Sequence, residues 1–151
     1  MNVSIYNNLK NNRMLKNDAE IKQYEHGLEL LSSNFSEDDI IDLCLAFDDN
    51  TNNHEVMFGA IHLLETLSSE LAYINTIIGV VNMFSTSPMW AKTILYRILN
   101  DEASVQMIKR INSRLENKTY ENFKLILEQI KAEDCDKFGN IIDELISSSS
   151  K

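Results

Sequence analysis

Residues 43–65 read LCLAFDDNTNNHEVMFGAIHLLE, two apolar segments separated by a polar one. The polar segment DDNTNN, residues 48–53, is dense in loop-forming residues and interrupts the helical period on both sides. Asn53 stands where a short amide side chain can cap the following helix. Apolar residues then recur at the spacing of one helical face, at Met57, Ile61 and Leu64. The stretch therefore predicts a helix, a polar loop and a second helix.

The same helical period continues outward in both directions. Further helices are predicted near residues 3–15, 69–84, 101–116, 119–132 and 135–147, with others beginning near residues 18, 36 and 88. The expected N-caps are Asp18, Ser36 (in a capping box with Asp39), Asn53, Ser87 (before Pro88) and Thr119. Short loops favour antiparallel neighbours, and eight or nine helices are too many for a closed four-helix bundle. We predict an all-α fold, a HEAT-like or irregular α-solenoid.

Glycine and proline are scarce, with four Gly and one Pro among 151 residues. An all-β sandwich or barrel needs many Gly and Pro turns, and a doubly wound α/β enzyme uses glycine in its phosphate loops. Both classes are therefore disfavoured. Because no linker or low-complexity tract divides the chain, we expect one domain over residues 1–151, with a basic N-terminal helix at 1–16 and a frayed tail at 147–151.

Acidic charge is concentrated in one part of the chain. The formal net charge is −9, but residues 17–75 carry 13 acids and only Lys22, for a segment charge of −12. Residues 1–16 carry +3, and residues 76–151 are balanced. Such a chain repels a phosphate backbone, so nucleic acid is not an expected partner. The acidic segment is either a solvated surface or a face that meets a basic protein.

The candidate partner-binding residues lie in the polar loop and next to it. The loop is either an ordinary capped turn or a display of acids to a partner. An EF-hand is excluded, because the glycine and the closing Glu of its calcium loop are missing. The residues predicted to contact a partner are Glu37, Asp38, Asp42, Asp48, Asp49, Asn50, Thr51, His54 and Glu55.

Signals for catalysis are weak. The string HEVMF at residues 54–58 lacks the second histidine of a zinc-protease helix. His62 and Glu65 share a helix face but have no second matching pair, so we expect no metal or other cofactor. Cys44 could pair with His54 or His62, but it lies on an apolar face where burial suppresses thiol reactivity. We therefore expect no enzymatic activity.

Location and burial can also be predicted. The two cysteines, Cys44 and Cys135, lie in apolar helical patterns and are expected to be reduced and buried. The N-terminal string has no secretory-signal pattern, and the most apolar stretch, residues 74–84, is too short to span a bilayer. We expect a cytoplasmic protein that does not enter the membrane. Leu71 and Trp90 are expected in the core, and Arg97 is expected to pair with acids of neighbouring helices.

Two strings resemble the signature segments of immunity protein family 30, which belongs to bacterial polymorphic-toxin systems. They are LCLAFDDNTNNHEVMFGAIHLLE at residues 43–65 and MWAKTILYRILND at residues 89–101. The resemblance implies a small all-α cytoplasmic protein that binds a cognate toxin domain, blocks it and has no enzymatic activity. It supplies no map of contact residues, and it does not extend past about Leu115.

A nuclease with a basic cleft is one toxin that the acidic segment would suit, because the inhibitor would compete with a polyanion. Two alternatives stay open: a general HEAT-like interaction adaptor without a toxin, and a metal-dependent helical hydrolase. The chain could act as a monomer or as a homodimer. Genomic context separates an immunity protein from a general adaptor, since an immunity gene would lie directly downstream of a toxin gene.

Overall fold

The computed structural model describes residues 3–148, with the side chain of Ser148 left out. Every regular element in this range is helical, which confirms the all-α prediction. The nine α-helices of the described range are α1 Val3–Asn12, α2 Asp18–Ser32, α3 Ile40–Cys44, α4 His54–Leu64, α5 Glu70–Met83, α6 Pro88–Leu99, α7 Glu102–Ile111, α8 Asn117–Glu133 and α9 Cys135–Ser148. Short 3₁₀ turns at Glu37–Asp39 and Asn112–Arg114 precede α3 and follow α7.

Side-chain caps explain where several helices begin. Asn53 accepts a hydrogen bond from the Val56 N–H at 3.0 Å, so the predicted cap of α4 is confirmed. The predicted capping box is present as well, because the Asp39 carboxylate accepts from the Ser36 N–H at 2.9 Å. It starts the 3₁₀ turn that leads into α3.

Two predicted caps are wrong by one to three residues. Asn17, not Asp18, caps α2, because its side chain accepts from the Glu20 N–H at 2.9 Å. Asp18 lies in the first turn, where a negative charge still favours the helix dipole. Thr119 lies inside α8, which begins at Asn117. The error at α2 arises because Asn17 and Asp18 offer equivalent local signals, whereas α8 begins after Glu116, whose side chain makes no capping hydrogen bond.

Helix α5 lies at the centre of the packing and contacts α3, α6, α7 and α8. Its buried side chains belong to a core cluster that runs from Tyr6 and Leu9 in α1 to Ile142 and Leu145 in α9. Tertiary burial of such apolar faces stabilises helices that would be marginal in isolation. The HEAT-like arrangement and the single-domain organisation stay predictions.

Two burial predictions are wrong. Leu71 is 47% exposed, because the neighbours of α5 cover the face that carries Ala72 and Val80. Cys135 is exposed at the first residue of α9, whereas Cys44 is buried as expected. Of the predicted tail, residues 147 and 148 belong to the last turn of α9, and residues 149–151 lie outside the described residues.

The C-terminal helices complete the core. The rings of Tyr96 in α6 and Phe138 in α9 stack with centroids 5.4 Å apart. The buried Asn112 side chain donates to the Leu145 carbonyl at 3.0 Å. The part of the chain that the family resemblance does not cover is therefore packed against the part that it does. Over residues 3–148 no helix is long and apolar enough to cross a bilayer.

The crossing of α3 over α5 depends on a glycine. A Cβ atom added at Gly79 would overlap Cys44 Sγ and lie 3.0 Å from Cys44 Cβ. We predict that Gly79→Ala lowers the free energy of unfolding by about 1–3 kcal/mol, because an overpacked crossing must open. Urea denaturation measures the change.

Gly59→Ala is the matched control. Its added Cβ would meet only the flexible end of Leu28, at 3.1 Å, and alanine is the better helix former. We expect this variant to be as stable as the parent or more stable. Equal unfolding midpoints for the two variants would contradict the close crossing at Gly79.

Candidate functional site

The polar loop of residues 48–53 and the start of α6 form one joint, although the chain separates them by 40 residues. The Asp49 carboxylate accepts the Met89 N–H at 2.8 Å and the Trp90 N–H at 3.1 Å. The Trp90 indole N–H donates to the Asp48 carbonyl at 3.0 Å. The Ser87 hydroxyl donates to the Phe47 carbonyl at 3.1 Å. Side chains of each segment therefore satisfy backbone groups of the other.

The side chain of Asp49, and not that of Ser87 as predicted, caps the N-terminus of α6. Ser87 occupies the N-cap position of α6, and Pro88 follows at the first helical position as predicted, but the Ser87 side chain makes no capping hydrogen bond. The free N–H groups of the first turn go instead to a carboxylate supplied by a distant loop. The negative charge of Asp49 also lies at the positive end of the helix dipole.

The other residues of the loop are tied down as well. Asp48 Oδ1 accepts from the Asn50 N–H at 2.9 Å, and Asp48 Oδ2 lies 3.5 Å from Arg13 Nε. The buried Thr51 hydroxyl donates to the Met14 carbonyl at 3.3 Å, and the Asn52 N–H donates to the same oxygen at 2.8 Å. The loop thus also anchors the connection between α1 and α2.

An aromatic cluster fills the inside of the joint. The Trp90 ring contacts Phe47 at a centroid distance of 5.8 Å and meets Phe58 edge-on at 5.2 Å. His54 covers its outer edge in a T-shaped contact at 5.5 Å. Trp90 is only 2% exposed, so its predicted core position is confirmed. Edge-to-face packing of this kind stabilises beyond the buried area alone.

The nine predicted contact residues divide into two groups. Side chains of four are held by internal hydrogen bonds or ion pairs: Glu37, Asp48, Asp49 and Thr51. Within residues 3–148 the other five make no side-chain hydrogen bond or ion pair, although His54 contacts the Trp90 ring: Asp38, Asp42, Asn50, His54 and Glu55. Glu37 accepts from the Ser69 hydroxyl at 2.8 Å, and that bond holds the pKa of its carboxyl below the usual value.

Ion pairs neutralise part of the acidic segment. The Arg97 guanidinium holds Glu65 through two bonds of 2.6 and 2.8 Å, which confirms the predicted pairing of Arg97. Those bonds raise the pKa of Arg97. Glu70 pairs with Arg114 and Arg110. The acids of residues 17–75 that have no ion pair or side-chain hydrogen bond to another described residue are Asp18, Glu25, Glu29, Asp38, Asp42 and Glu55.

A cleft between α4, α5, α6 and α7 has no counterpart in the sequence prediction. Its volume is about 600 Å³, and it contains the Glu65–Arg97 pair at its edge and Tyr73 and Ser104 within it. The Tyr73 hydroxyl lies 2.8 Å from Ser104 Oγ, which lies 2.6 Å from the Asp101 carboxylate. The spacing of Asp101 and Ser104 is an ordinary capping signal, so only the tertiary structure could reveal the cleft.

The candidate nucleophile is buried, and one candidate metal ligand is held by another partner. Cys44 is fully buried, and burial raises the pKa of its thiol to about 12. Glu65, which was paired with His62 as a possible ligand set, is held by Arg97. In the described part of the chain no three His, Cys, Asp or Glu side chains are grouped closely enough to hold a metal ion.

The two cysteines should react very differently. We predict that a thiol reagent at about pH 8 labels Cys135 quickly and leaves Cys44 unmodified in the folded protein, because only a thiolate reacts. A raised pKa means that Cys44 stays protonated until the pH approaches about 12. Mass spectrometry of the parent and of Cys135→Ser measures this. Rapid labelling of folded Cys135→Ser would contradict the buried position of Cys44.

Loss of the Asp49 cap should destabilise the fold. We predict that Asp49→Ala lowers the free energy of unfolding by about 1–2 kcal/mol, whereas Asp49→Asn, which keeps one of the two accepting oxygens, costs less. Asn50→Ala in the same loop is the control, because the Asn50 side chain is exposed and makes no hydrogen bond to a described residue. Thermal unfolding ranks the three variants, and an unchanged midpoint for Asp49→Ala would refute the cap.

Comparison with known proteins identifies the family. The protein-family model described as immunity protein 30 matches residues 11–108, which is almost two thirds of the chain. The matched range contains both halves of the joint and all the residues around the cleft. Among curated proteins and solved structures, no match to the chain was found. The match covers far more of the chain than the two signature strings, and the chain belongs to the immunity protein 30 family.

Proposed function

We propose that this protein binds and neutralises a cognate toxin domain in the cytoplasm, and that it does so by occlusion, without catalysing a reaction. The observation that carries the proposal is the family match over residues 11–108. An immunity protein has to recognise its toxin quickly and hold it. Both requirements concern surface charge and rigidity, and the structure supplies features relevant to each.

Charge supports a basic partner. The unpaired acids of the 17–75 segment lie on α2, on the turn before α3, within α3 and at the start of α4. Between Lys22 and Lys92 the chain has no lysine or arginine that could offset them. Complementary charge mainly accelerates encounter and selects the partner. A basic active-site cleft, such as that of a nuclease, is the partner surface that this charge distribution fits.

Rigidity supports recognition by a preformed surface. Asn50, His54 and Glu55 project from a joint whose backbone is held by Asp49, Thr51 and Trp90. Side chains on such a scaffold lose little conformational entropy on binding. In this proposal the polar loop is both a capped turn and a display surface. Its inner residues stabilise the fold, and its outer residues face the toxin.

The first test is growth rescue. The toxin domain encoded directly upstream should arrest growth when expressed alone, and co-expression with this protein should restore growth and yield a complex on pull-down. Failure of the two proteins to form a complex would refute the proposal. It would leave the interaction-adaptor alternative in its place.

The second test addresses the acidic face. We predict that the triple variant Glu25→Gln, Asp38→Asn, Glu55→Gln binds the toxin domain about tenfold more weakly at low salt and shows a smaller salt dependence of the association rate. These positions are chosen because their side chains are exposed and unpaired among the described residues, whereas Asp48 and Asp49 hold the fold.

The matched control removes three negative charges from α8 and the N-cap residue before it. Glu116→Gln, Glu121→Gln and Glu128→Gln are exposed positions outside the family match. If both triple variants lose affinity equally, net charge alone drives binding and the acidic face has no special role. Equal affinity of the first variant and the parent at all salt concentrations would also remove this face from the interface.

A further inference from the structure

The cleft between α4, α5, α6 and α7 combines apolar walls with a polar rim. Its walls are built from aliphatic side chains that include Ile61, Leu64, Ile94 and Ile98. Glu65, Arg97 and Asp101 are its charged lining residues. A cleft with aliphatic walls and a polar end fits a side chain that has a long apolar stem and a polar head.

The direction of the hydrogen bonds in the cleft can be assigned. Ser104 Oγ lies 2.6 Å from Asp101 Oδ2 and 2.8 Å from the Tyr73 hydroxyl. An ionised carboxylate only accepts, so the single Ser104 hydroxyl proton goes to Asp101, and Tyr73 must donate to Ser104 Oγ. The bonds from Ser104 hold the pKa of the Asp101 carboxyl below its usual value, which keeps it ionised at neutral pH.

Three hydroxyl groups of the cleft, those of Tyr73, Thr76 and Ser104, therefore have no proton left for an occupant. Tyr73 uses its proton on Ser104, and Thr76 donates to the Ala72 carbonyl at 2.8 Å. Each keeps lone pairs that can accept. The amide of Asn100 and the hydroxyl of Ser68 can act either way. The oriented groups of the cleft thus favour an occupant that donates hydrogen bonds.

The charge of the cleft has the same preference. Arg97 is the cation among its lining residues, and both of its bonds are to Glu65. Two carboxylates and one guanidinium leave a net charge of −1 on the lining. Asp101 lies at the N-terminus of α7 and already occupies the place where the helix dipole would attract an anion from outside.

We propose that this cleft receives a lysine or arginine side chain of the toxin domain, whose aliphatic stem lies against the isoleucine and leucine walls and whose cationic head reaches Asp101 and Glu65. This inference rests on the proposed function and names a second, concave contact beside the exposed acids of α2 to α4.

Two substitutions test the cleft with the toxin domain from the upstream gene as the probe. Ala103→Trp fills the cleft from an exposed lining position, and we expect at least about a hundredfold loss of affinity from the steric block. Asp101→Asn keeps a good N-cap and the shape of the site while it removes the charge, and we expect about a tenfold loss. The controls are Ala132→Trp and Glu121→Gln, at exposed positions on α8 away from the cleft.

Each outcome decides between specific alternatives. Losses for both cleft variants with unchanged controls support the proposal. Parent-like affinity of Ala103→Trp overturns it and leaves toxin binding intact. A loss for Ala103→Trp with none for Asp101→Asn shows an apolar occupant, and tighter binding by Asp101→Asn shows an anionic one; both overturn it. Absence of any complex with the parent protein refutes the proposed function itself, and with it the cleft proposal.

Discussion

The Asp49 carboxylate accepts hydrogen bonds from the N–H groups of Met89 and Trp90, which lie 40 and 41 residues further along the chain. The polar loop and the first turn of α6 both depend on this contact. It fixes the start of α6, and its loop closes over Trp90 and reaches the Met14 carbonyl. A cap supplied from a distant loop couples helix formation to tertiary packing, because neither segment satisfies its backbone groups alone. Formation of the loop and formation of the first turn of α6 therefore stabilise each other.

This constraint changes how the acidic segment should be understood. The count of −12 over residues 17–75 describes the unfolded chain. In the folded protein Asp48, Glu65 and Glu70 are paired with arginines from outside the segment, and Asp49 serves a helix terminus. Exposed ion pairs of this kind contribute little stability each, but they remove charge from the surface that a partner meets. Among the acids of this segment, the remaining carboxylates carry the charge that no ion pair offsets.

Local signals predicted much of the fold and little of the site. The helical period and short-range caps such as Asn53 depend on residues three or four positions apart, so they can be found in one sequence. The role of Asp49 depends on Met89, and no local rule links those positions. Leu71 fits the apolar period but lies outside, since the placement of the neighbouring helices decides which face of α5 is covered. The cleft exists only where four helices meet, so no motif marked it.

The joint and the cleft lie at opposite ends of the same pair of helices. Helices α4 and α6 are linked near their N-termini through His54 and Trp90, and near their C-termini through Glu65 and Arg97. The two helices therefore run parallel and are held at both ends. A side chain that entered the cleft would contact residues of α4 and α6, and the distance and angle between these two helices are already set. The same two links that keep α4 in place beside α6 also set the distance between the exposed residues of the loop and the cleft, so a toxin that contacts both would meet two sites in one fixed geometry.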